Sequence, residues 1–176
     1  LHREIEKNPG KIVVLDDDPT GVQTVHDIYV YTDCTLASIR EGFSRPERLF
    51  YLLTNSRGLT EEETTALHRQ IALDLATVSQ ETHIPFQVIL RGDSTLRGHY
   101  PLEPLLMKHT LEDALKLHFD GEILCPFFLE GGRYTASDIH YVADHDRLIP
   151  AGQTEFAKDK TFGYQASDLK EYMEEI

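Results

Sequence analysis

Cysteine is nearly absent. Cys34 and Cys125 are the only two in 176 residues, and no CxxC pair occurs, so no disulfide framework beyond a single bridge can be built from them. That scarcity fits a reducing, cytoplasmic setting. No apolar run approaches the length needed to cross a bilayer, so no membrane partner is expected. The opening LHREIEKNPG lacks the basic n-region and apolar h-region of a signal peptide. The chain opens without Met, as expected of a trimmed piece. Basic residues are also in short supply: 17 Lys and Arg stand against 30 Asp and Glu, a formal net charge of −13. Such a surface repels phosphate backbones and argues against general nucleic-acid binding. A local arginine cluster overrides that field at close range, because screening confines it to about 10 Å, so a small anionic ligand is compatible with the charge. Internal repeats and low-complexity segments are missing as well. What remains is ordinary globular composition, 40% hydrophobic and 27% charged. A chain this long buries roughly 70% of its unfolded surface. Residues 1–10 read as an N-terminal extension and 11–176 as one domain.

Short apolar runs alternate with helical patterns. KIVVL (11–15), DIYVYT (27–32), RLFYLLT (48–54), PFQVILR (85–91) and GEILCPFF (121–128) read as five strands. Leu36 to Gly42 reads as a short helix closed by its glycine. Thr60 followed by Glu63 is a capping box. From there to about Thr82, Leu67, Ile71, Leu75 and Val78 recur at helical spacing. Tyr100 to Leu117 is a further helix begun by Pro101, and Ser167 to Glu175 a last short one. Strand–helix alternation with fully apolar strands predicts an α/β fold, a mostly parallel, doubly wound, Rossmann-like sheet flanked by helices. Ligands in that architecture sit beyond the carboxyl ends of the strands. Those ends carry Asp16-Asp17-Asp18, Thr54-Asn55-Ser56-Arg57, Arg91-Gly92-Asp93-Ser94 and Phe128-Leu129-Glu130-Gly131-Gly132-Arg133.

The chemistry of these clusters points to a small anion. Neighbouring aspartates on a strand end point in alternating directions, so at most two of Asp16, Asp17 and Asp18 serve one site. Carboxylates there could bind a cation or accept a hydroxyl proton, or cap a helix. Arg57, Arg91, Arg97 and Arg133 each sit beside a glycine. Glycine permits close backbone approach, and guanidinium grips carboxylate or phosphate through two parallel hydrogen bonds. Asp93-Ser94-Thr95 offers a carboxylate and two hydroxyls, or an N-cap. Arg91-Gly92-Asp93 follows a buried strand, which discounts an adhesion role for that tripeptide. His140, Asp144, His145 and Asp146 read as a solvated loop, because histidines at i and i+5 do not share a helix face; no metal site is assigned. The two cysteines read as small buried hydrophobes, and the acidic run 61–63 as a helix-start charge bias.

Two families resemble parts of this pattern. Asp16-x-Asp18-x-Thr20 resembles the nucleophile motif of haloacid-dehalogenase-type phosphatases, which are Mg²⁺-dependent, with LLTN (52–55) and RGDSTLRG as its later motifs. That family needs a lysine, yet none occurs between Lys11 and Lys108, and Arg97 stands where its closing aspartate belongs. The second resemblance spans Lys11 to Tyr164. DDPTG (17–21), TNSRGL (54–59), RGDSTLRGH (91–99), PFFLEGGRYTASDIHYV (126–142) and TEFAKDKTFGY (154–164) occur in order. Together they resemble the N-terminal, substrate-binding domain of the four-carbon acid sugar kinase family. Members more often write K-x-D-S-T where this chain has Arg91 to Thr95, and ADDxTGA where it has DDDPTGV. The resemblance implies an ATP-dependent kinase phosphorylating a hydroxyl of a threonate-, erythronate- or oxo-tetronate-like acid. It also implies ATP and Mg²⁺ held mainly by a C-terminal kinase domain that this chain does not include, since no GxxxxGK[ST] appears. The chain alone is then expected to be inactive. Family position implies substrate contacts at Asp17 or Asp18, Arg57, and Arg91, Gly92, Asp93 and Ser94. Arg57 and Arg91 would clamp the carboxylate, and Asp17, Asp18 or Asp93 would accept the hydroxyl proton. Asn55 and Ser94 would bond the other hydroxyls, while Arg97 and Arg133 would face the moving phosphoryl group. A non-catalytic sugar-acid sensor is a third reading. Assembly into a homo-oligomer is compatible with the sequence.

Overall fold

The computed structural model describes residues 7, 9–21 and 25–176; most of the expected N-terminal extension lies outside these. The buried run Lys11–Asp16 forms β1. It is flanked in parallel by β3 (Leu49–Leu53) on one side and β4 (Phe86–Arg91) on the other, and β2 (Tyr29–Tyr31) adds to β3, giving the order β2-β3-β1-β4. Val13, Leu15, Phe50 and Leu52 are buried in this sheet. They pack with Ile39 and Phe43 of α1 (Leu36–Ser44), Ile71, Leu75 and Val78 of α2 (Glu61–Thr82), and Met107 and Leu111 of α3 (Leu102–Leu115). The expected capping box opens α2: Thr60 accepts from the Glu63 amide, and the Glu63 side chain returns to the Thr60 amide. Gly42 does not end α1 as expected. It lies inside the helix against the Phe50 ring, where a Cβ would have no room, and the helix continues to Ser44. These elements make one compact unit, Leu1–Arg91 with Leu102–Phe119. The fold is α/β with a mostly parallel sheet, as the alternating pattern predicts.

The second unit, Gly92–Pro101 with Asp120–Ile176, departs from expectation. Residues 121–128 form no fifth strand. Pro126 lacks the N–H that a paired strand must supply, and Ile123 stands 92% exposed. In place of that strand, an antiparallel sheet follows, β5 (Arg133–Ala136), β6 (Ile139–Asp144) and β7 (Arg147–Pro150). The last helix, α4 (Leu169–Glu175), is capped by Asp168, whose carboxylate accepts from the Lys170 and Glu171 amides. Its Tyr172 packs with Tyr164, Leu96 and Ala151 in a separate small core. Among the described residues no helix is long and apolar enough to cross a membrane.

Candidate functional site

Register places the rim of the first unit. Asp16 ends β1 directly beside Arg91, the last residue of β4, so both side chains leave the sheet on one face. Arg91 Nη1 reaches Asp16 Oδ1 at 3.2 Å. Asp17, one residue on, points the other way and meets Arg57, which follows β3. Arg57 grips it from two sides: Nε donates to Oδ2 at 3.0 Å and Nη2 to Oδ1 at 2.7 Å. Its Nη1 donates to Asp18 Oδ2 at 3.0 Å. The carboxyl ends of three adjacent parallel strands thus bring Asp16, Asp17, Asp18, Arg57 and Arg91 together, as the sequence predicts. The guanidinium of Arg57 is shared between two carboxylates rather than standing bare.

The three aspartates differ in environment. Asp16 is fully buried, its Oδ2 has no hydrogen-bond partner, and burial raises its pKa against the opposing pull of Arg91. Burial likewise pushes Asp17 up to about 6, with Arg57 working against the shift and Glu103 adding to it. Asp18 is lowered, chiefly by the Thr20 hydroxyl that donates to it. Gly21 closes over this group. A Cβ there would overlap the Asp16 carboxylate and Arg91 Nη1, so the backbone can lie on the ion pair only because the residue is glycine. Asp16, the nucleophile of the phosphatase reading, is thus enclosed and paired to Arg91. Asn55 adopts a left-handed conformation, φ 52°, at the head of the Ser56–Gly58 turn, and its side chain is exposed.

Residues missed in the sequence lie behind this rim. Glu103 of α3 accepts the Ser56 hydroxyl at 2.6 Å, and His68 of α2 brings Nε2 to 3.4 Å from the same oxygen. A lone histidine and a lone glutamate on amphipathic helices carry no sequence signal of such a role.

The other predicted residues belong to the second unit. Asp93 accepts the Thr95 hydroxyl, and Arg97 Nε donates to it at 2.7 Å. Arg97 and Arg133 converge on the Phe156 ring, their guanidinium carbons 5.1 and 5.7 Å from its centroid. Gly92 is exposed and Ser94 half-buried. Successive carbonyls of this loop each accept from a side chain: Ser94 from His140 Nε2 at 2.8 Å, Thr95 from Tyr164 at 2.7 Å, Leu96 from Tyr172 at 3.0 Å. Those bonds hold Leu96 in a left-handed conformation, φ 66°. His140 therefore belongs to no solvated loop. It is fully buried on β6, and burial lowers its pKa. Arg133 sits at the start of β5, after a turn rather than at the end of a parallel strand. The expected placement of Phe128 to Arg133 on the parallel rim fails with the fifth strand. Cys125 is exposed, against expectation, while Cys34 is half-buried with its thiol pushed up to about 11 by burial.

Among the described residues no group of three or more His, Cys, Asp or Glu side chains is arranged to hold a metal ion, and the rim carboxylates are engaged by guanidiniums. This donor set does not fit Mg²⁺. Comparison with known proteins gives a family match over residues 12–176, described as a sugar-binding N-terminal domain. One similar solved structure is a domain of unknown function (DUF1537) from Bordetella bronchiseptica, with bound citrate, in a domain-swapped dimer. It has a TM-score of 0.62 at 20% identity, covering 93% of this chain and 39% of that one, a likeness of fold. The chain thus spans well under half the length of that neighbour. No curated protein matches the sequence.

Proposed function

The chain belongs to the family of sugar-binding N-terminal domains, and from that premise we propose that it is the acceptor-binding half of an ATP-dependent kinase for a four-carbon sugar acid of the threonate, erythronate or oxo-tetronate type. The observation that carries the reading is the rim of the first unit, where Arg57 and Arg91 stand with three aspartates at the carboxyl edge of a parallel sheet. The neighbour's bound citrate, a small hydroxy acid, supports a ligand of this chemistry.

In this reading Arg91 and Arg57 draw the acid's carboxylate to the rim, and Asn55 bonds a hydroxyl. Asp17 is the hydroxyl's proton acceptor. Its pKa of about 6 leaves it ionised yet basic near neutral pH, which suits a general base; Asp18, lowered by its hydrogen bonds, is the weaker one. Asp93 has its Oδ2 engaged by Thr95 and Arg97, and with Gly92 and Ser94 it is read as substrate-binding. Arg97 and Arg133 are read as facing the phosphoryl group. ATP would supply that group and Mg²⁺ its charge neutralisation, both held by a C-terminal kinase domain outside this chain.

Calorimetric titration of the chain with threonate and erythronate tests the reading. Arg57→Ala is expected to weaken binding at least tenfold, about 1.4 kcal/mol. Equal affinity in that variant removes Arg57 from the site, and a chain that binds neither acid ends the proposal. With ATP, Mg²⁺ and threonate the chain alone is expected to form no ADP; turnover would show that it needs no second domain.

A further inference from the structure

Leu96 holds a backbone conformation that a bulky side chain disfavours. Its φ is 66°, and in the left-handed region Cβ crowds the following carbonyl. The residue is neither glycine nor asparagine, so its surroundings must hold it there. Two peptide planes flank Leu96 and set its dihedral angles. The plane between Thr95 and Leu96 sets φ. Its carbonyl accepts from the Tyr164 hydroxyl at 2.7 Å, and its N–H donates to the Asp93 carbonyl at 3.0 Å. The plane between Leu96 and Arg97 sets ψ, and its carbonyl accepts from the Tyr172 hydroxyl at 3.0 Å. Both hydroxyls belong to buried rings, which meet edge to face at 5.5 Å. The reversal at Leu96 has a consequence for its neighbours. It brings Arg97 back to Asp93, whose Oδ2 accepts from Arg97 Nε at 2.7 Å, although no helix joins these two residues.

We propose that Tyr164 and Tyr172 are positioning residues for the sugar acid: their hydroxyls lock Leu96 in the left-handed conformation and so fix the Asp93–Arg97 pair carried by the same loop. The inference rests on reading Asp93, Ser94 and Arg97 as part of the acceptor site. Both tyrosines act through the backbone, since each hydroxyl is occupied by a carbonyl. Phenylalanine at either position keeps the ring and removes only the donor. A buried carbonyl left without its donor is costly, and rotation of its peptide plane relieves both that cost and the strain at Leu96. Arg97 then leaves Asp93. Tyr100 provides an internal comparison. Its ring stacks on Tyr172 at 5.6 Å, yet the carbonyls of Ser94, Thr95 and Leu96 are held by His140, Tyr164 and Tyr172 instead.

The test uses the chain labelled with ¹³C and ¹⁵N, first without ligand. Wild-type Leu96 is expected to show the Cα and Cβ shifts of positive φ. The Arg97 Nε–H signal, identified by its loss in Arg97→Lys, is expected to exchange slowly with water. Tyr164→Phe and Tyr172→Phe should each move the Leu96 shifts toward negative φ and speed the Arg97 Nε–H exchange severalfold, whereas Tyr100→Phe should do neither. In calorimetric titration, Tyr164→Phe should weaken threonate binding by about threefold or more, the worth of one hydrogen bond, and Tyr100→Phe should leave it unchanged. The proposal is overturned by Leu96 shifts that ignore both hydroxyls, by an equal response in Tyr100→Phe, or by full threonate affinity in a Tyr164→Phe chain whose Leu96 has moved. Should neither variant fold, the wild-type spectrum decides: negative-φ shifts at Leu96, or Tyr164 and Tyr172 hydroxyl protons in fast exchange, overturn it. A wild-type chain that binds no threonate ends the proposed function and the positioning role with it, while the ligand-free signals still establish whether the two hydroxyls lock the loop.

Discussion

A carboxyl group raised by burial makes the folded chain the tighter proton binder. For Asp17 the folded value is about 6 against an ordinary 3.8. Between those limits the native state holds more protons than the unfolded one, so the stability this group contributes is greatest in acid and declines as pH rises through the window. Asp17→Asn should flatten the fall in urea midpoint between about pH 4 and 6; a slope unchanged in the variant would assign the titration to another group, with Asp16 the next candidate since burial raises it too. The same protonation releases part of Arg57's charge, so sugar-acid affinity should strengthen severalfold from about pH 7.5 to about pH 5.5, where a sugar acid is still ionised. Affinity that falls over that interval would contradict the Asp17–Arg57 coupling. Gly21 supplies a steric counterpart. Its missing Cβ leaves room for the Asp16–Arg91 pair, and Gly21→Ala is expected to cost about 1–3 kcal/mol, the range for overpacking a filled site. A melting temperature within error of wild type would mean that the backbone there yields freely.

At the scale of elements, some parts were readable in the sequence because one physical constraint dominated them. The strands β1 and β3 are enclosed in a parallel sheet, so they are written as unbroken apolar runs. The α2 helix has both a capping box and a spaced apolar face. Thr60→Ala should lose about 1 kcal/mol of stability and Leu75→Ala about 2–5 kcal/mol, both read by urea denaturation; a harmless Leu75→Ala would contradict its complete burial. The antiparallel sheet was not readable, for a reason visible in β5 and β7. Tyr134, Thr135 and Ala136 are exposed, as are Arg147 and Leu148, so burial imposes no alternation there. Residues 121–128 made the opposite error: an apolar composition suggested a strand, but composition does not provide the amide that Pro126 lacks. At the rim, residue types were legible and partners were not. That Asp16 answers Arg91 while Asp17 answers Arg57 depends on register, since one residue of slip turns each side chain to the other face.

Across the whole molecule, a net charge of −13 and a rim with two guanidiniums act on an anionic ligand over different distances. The distributed negative charge is felt at long range and is screened beyond about 10 Å at 0.1 M salt. The ion pairs of the rim are partly buried, with Asp16 fully enclosed and Asp17 nearly so, and salt reaches them much less. Added salt should therefore remove repulsion from the approach before it removes attraction from the bound state. The association rate of threonate is expected to rise about twofold or more between about 0.02 and 0.3 M salt, with the dissociation rate changing less. Threitol, the uncharged analogue, isolates the carboxylate's part: its rate should not respond, because no charge approaches. A threonate association rate that falls with salt would mean that the approach is already dominated by arginine. The local cluster would then outweigh the rest of the surface beyond contact distance, and the acidic composition would have no part in admitting the ligand.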